Sequence, residues 1–228
     1  MSDKYPSLSP YNYCAGNPVV LKDPDGRFPI DIHIELVSNA LSKSNKAYYK
    51  EESIRNKILL GTGYIADVLC MDVSIIHMDN MSNITDITAV YNTVIKAFDV
   101  TSKKGNWTEA GVALHTIADF YAHSNYIELY KKYAEENKIG FNIDDIPTFS
   151  EAQKDKDLMG YLKKNGLRTG IYESYIEDKL TKNQKAHKYM NKDTDKSHAG
   201  SDIYSGRRTM HEAAKRVAQK ELNNVVDN

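Results

Sequence analysis

Beyond residue 27, apolar side chains recur at three- and four-residue spacing along most of the chain, which is the period of an amphipathic α-helix. Alternating strand patterns are nearly absent from this part of the sequence. The pattern therefore predicts an all-α domain, a multi-helix bundle of six to eight helices. The predicted helical segments are 33–43, 51–76, 84–100, 108–137, 157–165, 172–183 and 205–226.

Polar residues indicate where two of these helices begin. Ser82 and Asn83 are good N-cap residues for the helix that starts at residue 84, and Thr108 is a candidate N-cap for the next one. The stretch 138–160 contains two glycines and a proline, and we expect it to be a long irregular connection.

The first 27 residues differ in texture, because they hold four of the six prolines together with three turn pairs, Asn17-Pro18, Asp23-Pro24 and Asp25-Gly26. Such a pattern predicts short extended pieces separated by turns. We therefore divide the chain into a segment 1–27 and a helical domain 28–228.

The segment 1–27 matches the pattern S-P-Y-x-Y…N-P…D-P-x-G-R. The matching residues are Tyr11, Asn12, Tyr13, Asn17, Pro18, Asp23, Pro24, Asp25, Gly26 and Arg27. In this it resembles the end of the RHS-repeat-associated core domain, whose last strand pair typically has this pattern. The resemblance implies that 1–27 is a short β/turn remnant of a core that closes a β-shell. It also implies that the helical domain is the variable C-terminal toxin that follows such a shell.

Charge and composition argue against several classes of protein. Thirty Lys and Arg face thirty-one Asp and Glu, so the chain lacks the basic field that favours nucleic acid. No apolar run approaches the roughly 18 residues of a membrane span, and no signal-peptide pattern is visible at the N-terminus. The two cysteines, Cys14 and Cys70, are too few for a disulfide framework or a thiolate metal site. Any export would have to use a route without a signal peptide.

The strongest chemical signal is a set of three residues, His115, Asp119 and His123, spaced four residues apart. Successive residues of an α-helix are turned by about 100°, so these side chains share one face. Imidazole and carboxylate groups on one face are suitable ligands for zinc, and a carboxylate between two histidines can bridge two metals. The stripe predicts a metal site that other helices complete; the alternative is a set of polar residues that bond to other protein groups.

Further candidate ligands lie before this stripe. His33 is on the first predicted helix, and Asp67 and His77 bracket the apolar run that follows. Their ten-residue separation places them on one side of the predicted helix if that helix is continuous. Asp72 and Asp79 are rivals for the same role.

The order of these residues resembles that of the zinc-dependent phospholipase C superfamily. The string from His115 to Glu128 is closest to the Het-C-like branch, where the helix reads H-T-x-x-D-F-Y-A-H-S-N-Y-x-E. The resemblance implies a helical bundle that holds two or three zinc ions, with Asp67 as the catalytic carboxylate and Asp119 as the metal bridge. The implied ligands of the paired zincs are His33, Asp67, His77, His115 and Asp119, and His123 is the implied first ligand of a third zinc.

The third zinc also needs a ligand from later in the sequence, and several residues are candidates for it. His187, which precedes Met190-Asn191-Lys192-Asp193, is most similar to the Het-C pattern. His198 and Asp202 have the four-residue spacing of the superfamily, although Gly200 argues against a helix between them. His211 on the last predicted helix is the remaining candidate.

The resemblance implies a secreted toxin that hydrolyses phosphoesters, with membrane phospholipid as the expected substrate. The implied partners are the parent RHS shell and a cognate immunity protein, and export would use a specialised secretion system. A nuclease of the same superfamily is one alternative, which the near-neutral charge and the scarcity of Phe and Trp disfavour. A metal-stabilised module for binding or insertion, without enzymatic activity, is the other.

Overall fold

The computed structural model describes residues 30–70, 73–140, 142–172, 179 and 186–228. The predicted RHS remnant 1–27 with its domain boundary, the rival ligand Asp72 and most of the predicted helix 172–183 lie outside these residues.

The described residues form a helical domain, which confirms the predicted fold class. Two of the nine α-helices in this part of the chain have only four residues, too short to show a hydrophobic period. The α-helices are α1 Ile30–Lys43, α2 Glu52–Leu60, α3 Ile84–Lys103, α4 Trp107–His123, α5 Tyr126–Glu136, α6 Phe149–Ala152, α7 Lys156–Lys164, α8 His187–Met190 and α9 Met210–Asp227. A π-helix, Gly61–Leu69, continues α2, short 3-10 turns span Ala47–Lys50 and Ile143–Asp145, and β1 Ile203–Ser205 pairs antiparallel with β2 Arg208–Thr209.

The centre of the domain is α4, which packs against α2, the π-helix, α3 and α9. Every residue of α4 from Ala113 to His123 is buried. A helix that is buried all round belongs to the core, so any polar side chain on α4 must find partners inside the protein. No helix in the described part of the chain is both long and apolar enough to cross a membrane.

Two glycines allow α4 to approach the start of the π-helix closely. An added Cβ on Gly61 would lie 1.9 Å from the carbonyl oxygen of Thr108, and one on Gly111 would lie 2.0 Å from that of Ile58. Thr62 strengthens the crossing, because its hydroxyl donates a hydrogen bond to the Gly111 carbonyl at 3.1 Å. The two helices therefore meet backbone to backbone.

The other side of α4 carries an aromatic cluster around a buried carboxylate. The hydroxyl of Tyr121 donates to Glu221 Oε2 of α9 at 3.1 Å and accepts the Phe149 backbone N–H at 2.8 Å. Tyr91 of α3 lies 3.1 Å from the Tyr121 hydroxyl, and the Ser150 hydroxyl donates to Glu221 Oε1 at 2.5 Å. We call these side chains the tyrosine network.

Two predicted helix starts have opposite outcomes. Asn83 is the N-cap of α3, and its side chain accepts a hydrogen bond from the backbone N–H of Asp86. Thr108 is not an N-cap, because α4 already begins at Trp107, whose ring packs 5.4 Å from that of Tyr48. The helix thus starts two residues earlier than a Thr108 N-cap would place it, with Asn106 in the N-cap position.

Two long predicted helices are interrupted. The predicted helix 51–76 ends at Leu69, after which the chain turns over residues 74–78. The predicted helix 108–137 breaks at Ser124–Asn125, where Asn125 exchanges two hydrogen bonds with Arg168, one through its backbone N–H and one through its side-chain oxygen. Tertiary contacts decide this break, and a helical period cannot reveal them.

Two further predictions need correction. The connection 138–160 is not irregular throughout, since it holds α6, with a capping box between Thr148 and Glu151, and the start of α7, capped by Asp155. The last predicted helix does not begin at residue 205, because residues 203–209 form the β-ribbon, with Gly206 at a φ of 58° in its turn.

Candidate metal centre

The predicted stripe on α4 is present and fully buried. His115, Asp119 and His123 are each 0% exposed and lie on the side of α4 that faces α1, the π-helix and the turn 74–78. Because the helix is regular, the four-residue spacing places the three side chains in a row. They divide between two clusters of potential ligands.

The first cluster, here called the first centre, is built around the carboxylate of Asp119. Its Oδ1 lies 2.9 Å from His33 Nε2, and its Oδ2 lies 2.9 Å from His77 Nδ1 and 2.8 Å from His115 Nε2. His33 comes from α1, His77 from the turn 74–78 and His115 from α4. Three separate elements thus direct imidazole nitrogens at one carboxylate.

Asp67 completes the first centre from the π-helix. Its Oδ2 lies 3.3 Å from His33 Nδ1, and its Oδ1 lies 3.6 Å from His115 Nε2. A π-helical turn contains an extra residue, which changes the direction of the side chains that follow, and such turns are frequent at functional sites. Asp67 and His77 do meet, but through the chain reversal after Leu69 and not along one continuous helix as predicted.

The second cluster, here called the second centre, contains Asp79, His123, His187 and Asp193. His187 Nδ1 lies 2.9 Å from Asp79 Oδ1, and His123 Nδ1 lies 4.0 Å from the same oxygen. His123 Nε2 lies 3.2 Å from Asp193 Oδ1. Asp79 is 3% exposed and the other three are buried as well.

The two centres share structural elements. His77 of the first centre and Asp79 of the second are two residues apart, on a turn in which Met78 has a φ of 51°. Asp119 and His123 are likewise one helical turn apart on α4. A movement of the turn 74–78, or of α4 as a whole, would therefore alter both centres.

Of the four late candidates, His187 lies in the second centre and the other three do not. His198 and Asp202 are exposed on the turns before β1, where the His198 ring packs 5.0 Å from that of Tyr189. His211 Nδ1 donates to the backbone carbonyl of Lys192 at 2.8 Å. The later carboxylate of the second centre is Asp193, which lies 3.2 Å from His123 Nε2 and follows His187 by six residues rather than four.

Charges within the clusters shift several pKa values. Burial would raise the pKa of Asp119, but the imidazoles of His115, His123 and His33 hold it well below its usual range. Burial opposes a charge on His33, yet the carboxylates of Asp119 and Asp67 raise its pKa to about 10. Burial lowers the pKa of His115 despite the same two carboxylates.

His123 is held in the neutral form that a metal requires of a histidine. Burial, together with the adjacent His187, lowers the pKa of His123 to about 3. Its Nδ1 lies 3.2 Å from the His77 carbonyl and its Nε2 lies 3.2 Å from Asp193 Oδ1, and both oxygens can only accept a hydrogen bond. A neutral ring carries one proton, so one of its two nitrogens presents a lone pair to an oxygen. Metal-ligating histidines are commonly oriented by a carbonyl or a carboxylate on the other ring nitrogen.

Both clusters fit a divalent cation. Three groups of three residues each bring one potential ligand atom per residue within 4.8 Å of the other two. The groups are His33, His115 and Asp119; Asp67, His77 and His115; and Asp79, His123 and His187. Several buried atoms of these residues have no hydrogen-bond partner among the described residues: Asp67 Oδ1, His77 Nε2, Asp79 Oδ2 and His115 Nδ1. The potential metal ligands are imidazoles and carboxylates, the groups that bind zinc where thiolates are absent. These His/Asp clusters could hold metal ions.

The sequence does not predict two acidic residues of the second centre. It indicates Asp79 only as a rival ligand in the first centre, and Asp193 only as the end of the string Met190-Asn191-Lys192-Asp193 after His187. The Asx pattern Asn191-x-Asp193 is a weak local signal, since the Asn191 side chain bonds both the backbone N–H and the carboxylate of Asp193. Only the fold brings these residues to His123.

Comparisons of the chain with protein-family models, with curated proteins and with solved structures find no match. Function is therefore inferred from the geometry of the two centres and from the motifs in the sequence.

Proposed function

We propose that the protein is a zinc-dependent phosphodiesterase, similar to phospholipase C, that acts as the toxin domain of an RHS effector. The observation that carries the proposal is the first centre, where imidazole nitrogens from three elements surround the Asp119 carboxylate beside Asp67. Convergent lone pairs of this kind attract a cation, and carboxylate-rich ligation without cysteine is typical of catalytic zinc.

The ligand assignment follows the contacts. His33, Asp67, His77, His115 and Asp119 would hold a pair of zinc ions. Asp119 is suited to bridge them, because its Oδ1 faces His33 while its Oδ2 faces His77 and His115. The second centre would hold a third ion through Asp79, His123 and His187.

The bound zincs would supply Lewis-acid stabilisation of the phosphate oxygens and a water of lowered pKa. Asp67 is the best-placed base for that water, because its side chain is 5% exposed while the other ligands of the first centre are 0–1% exposed. A carboxylate at the edge of the cluster can accept the proton from water while its second oxygen stays beside His33. Asp119, which contacts three imidazoles, would remain a ligand throughout.

The biological setting is proposed from the motifs alone. Membrane phospholipid would be the substrate, and the RHS shell would enclose the domain until delivery. A specialised secretion system would export it without a signal peptide. A producing cell would need an immunity protein that neutralises the domain.

One observation favours a second candidate function, a metal-stabilised helical module for binding or insertion. Both centres are almost completely buried, and structural metal sites are closed, whereas catalytic sites keep a position for water or substrate. In such a module the metals would stabilise the fold and hydrolyse nothing.

A substrate panel separates these functions. The full chain is assayed on phosphatidylcholine and phosphatidylethanolamine vesicles, a soluble chromogenic phosphodiester, single-stranded DNA and single-stranded RNA, each with zinc and with chelator. We expect chelator-sensitive hydrolysis of phospholipid. Asp67→Asn should reduce the rate strongly, and Asp99→Asn is the matched control, because the side chain of Asp99 on α3 is 49% exposed and pairs with Lys103 away from both centres. Hydrolysis of nucleic acid alone would identify a nuclease, and a zinc-loaded protein inert on all substrates would support the non-enzymatic module.

A further inference from the structure

Lys192 is a fully buried lysine beside the second centre. Its side chain is 0% exposed. The ammonium donates to the carbonyls of Ser124 at 2.6 Å and Met190 at 2.8 Å, and it lies 3.0 Å from Glu128 Oε1. A buried lysine is costly unless its charge is paired and its three donors are used, and here both conditions are met.

The partners of Lys192 connect the parts that carry the second centre. The carbonyls of Ala122 and Ser124 flank His123 at the end of α4, and Lys192 contacts both, at 3.5 Å and 2.6 Å. Its own backbone N–H donates to the Ala122 carbonyl at 3.1 Å. Along the chain, Lys192 directly precedes Asp193. One side chain thus ties the end of α4 to the segment that supplies His187 and Asp193.

We propose that Lys192 is a positioning residue that holds Asp193 and His187 against His123 and so forms the second centre. The inference rests on the proposed metal centre. It explains why a charge is buried here at all, because an apolar side chain could fill the space but could not bind the last carbonyls of α4. These carbonyls lack partners within the helix, and a cation is favoured at a helix C-terminus.

The role is specific to one centre. The first centre draws its ligands from α1, the π-helix, the turn 74–78 and an earlier part of α4, none of which supplies a contact to the Lys192 ammonium. Loss of the ammonium should therefore release the end of α4 and the segment 186–193 while leaving the first centre intact.

The test compares Lys192→Met, which keeps an unbranched side chain that is one heavy atom shorter and removes its charge, with the wild-type protein. Metal content is measured by elemental analysis, and cobalt-substituted protein is compared by visible absorption. We expect Lys192→Met to lose the metal of the second centre and its share of the cobalt spectrum, while the first centre stays loaded. Glu221→Gln is the control, since it alters a buried charged residue in the tyrosine network and should change stability without changing the spectrum.

A second variant tests the proposal even if Lys192→Met does not fold. Glu128 is 29% exposed, so Glu128→Gln is tolerated and removes only the anion that faces Lys192. It should make the second centre release its metal to chelator several-fold faster. If this variant keeps wild-type metal retention, or if a folded Lys192→Met does, the proposal is overturned.

A protein that binds no metal would contradict the proposed metal centre, and the positioning role is then tested without metal. Amide hydrogen exchange of the wild-type protein is compared with that of the two variants. Faster exchange confined to the end of α4 and residues 186–193 would support the role of Lys192. Unchanged exchange in these segments would overturn it.

Discussion

The two sides of α4 both carry buried polar groups, but they satisfy them differently. In the tyrosine network, Tyr121 donates one hydrogen bond and accepts others, and both oxygens of Glu221 have a hydroxyl donor. Burial raises the pKa of Tyr91 and of Tyr121 well above the usual range, so these donors keep their protons. Donors and acceptors are matched there, and the network needs nothing from outside.

In the first centre, by contrast, nitrogen and oxygen atoms of several side chains converge without a full set of hydrogen-bond partners among the residues that the structure describes. Oδ2 of Asp119, Nδ1 of His77 and Nε2 of His115 lie within 2.8–3.2 Å of one another. Each imidazole has one nitrogen that can donate in its neutral form, and His77 Nε2 and His115 Nδ1 have no hydrogen-bond partner in the described part of the chain. Burial and polarity alone therefore do not mark a cluster that could hold a metal ion. Convergent ligand atoms without hydrogen-bond partners do.

Among the variants that test this contrast between the two sides of α4, Asp119→Asn should have the largest effect. The change removes the negative charge that faces three imidazoles, so the protein should lose at least one metal and its rate should fall by several orders of magnitude. Zinc content and turnover on phospholipid vesicles measure both effects, with Asp99→Asn as the control. An Asp119→Asn protein with full zinc and a wild-type rate would mean that the stripe on α4 is not the active centre.

Metal removal should produce the next largest effect. Ligands from four elements meet at the first centre, so zinc bound only to the folded state adds about 4 kcal/mol when free zinc is a thousand times its Kd. Chelation should then lower the Tm by roughly 10 °C. Calorimetry of the zinc-loaded and chelated protein measures the shift, which zinc should reverse and which Asp119→Asn should reduce. An identical Tm in both states would contradict the metal centre.

A smaller effect is expected on the other side of α4. Glu221→Gln replaces one acceptor oxygen with a donor and leaves a hydroxyl of Tyr121 or Ser150 without its partner, at a cost of about 1–3 kcal/mol. The metal content should not change. Denaturant unfolding and elemental analysis on the same preparation test both statements, and a loss of zinc would show that the two sides of the helix are coupled.

The smallest effect is expected for His198→Ala. His198 is exposed and lies outside both centres, so neither zinc content nor rate should change. The matched variant is His187→Ala, which removes a ligand that faces Asp79 at 2.9 Å and should empty the second centre. If the two variants exchanged these results, the assignment of the late ligand would be in error.

The helical spacing of the sequence was sufficient to place His115, Asp119 and His123 on one face, because the period of a helix is a local property. It was also sufficient to indicate the all-α class. The contribution of Asp79 depends on a turn in which Met78 and Asn80 adopt positive φ values, and no glycine marks either position. The break after His123 depends on Arg168, which is more than forty residues away. Such contacts join residues that are distant in the sequence, so the local periodicity of the sequence does not predict them.

The close crossing at Gly61 and Gly111 has a consequence for ion selectivity. Gly61 precedes Asp67 by six residues, and Gly111 precedes His115 by four, so the crossing sets the distance between the ligand from the π-helix and those on α4. A methyl group on Gly61 would meet the Thr108 carbonyl at 1.9 Å, whereas ordinary contact begins at 3.4 Å. The helices would have to separate, and the cavity between the ligands would widen. A zinc ion held between these ligands would then lose affinity relative to a larger ion that also accepts imidazole ligands, because the ligand distances of zinc are only about 2.0–2.2 Å.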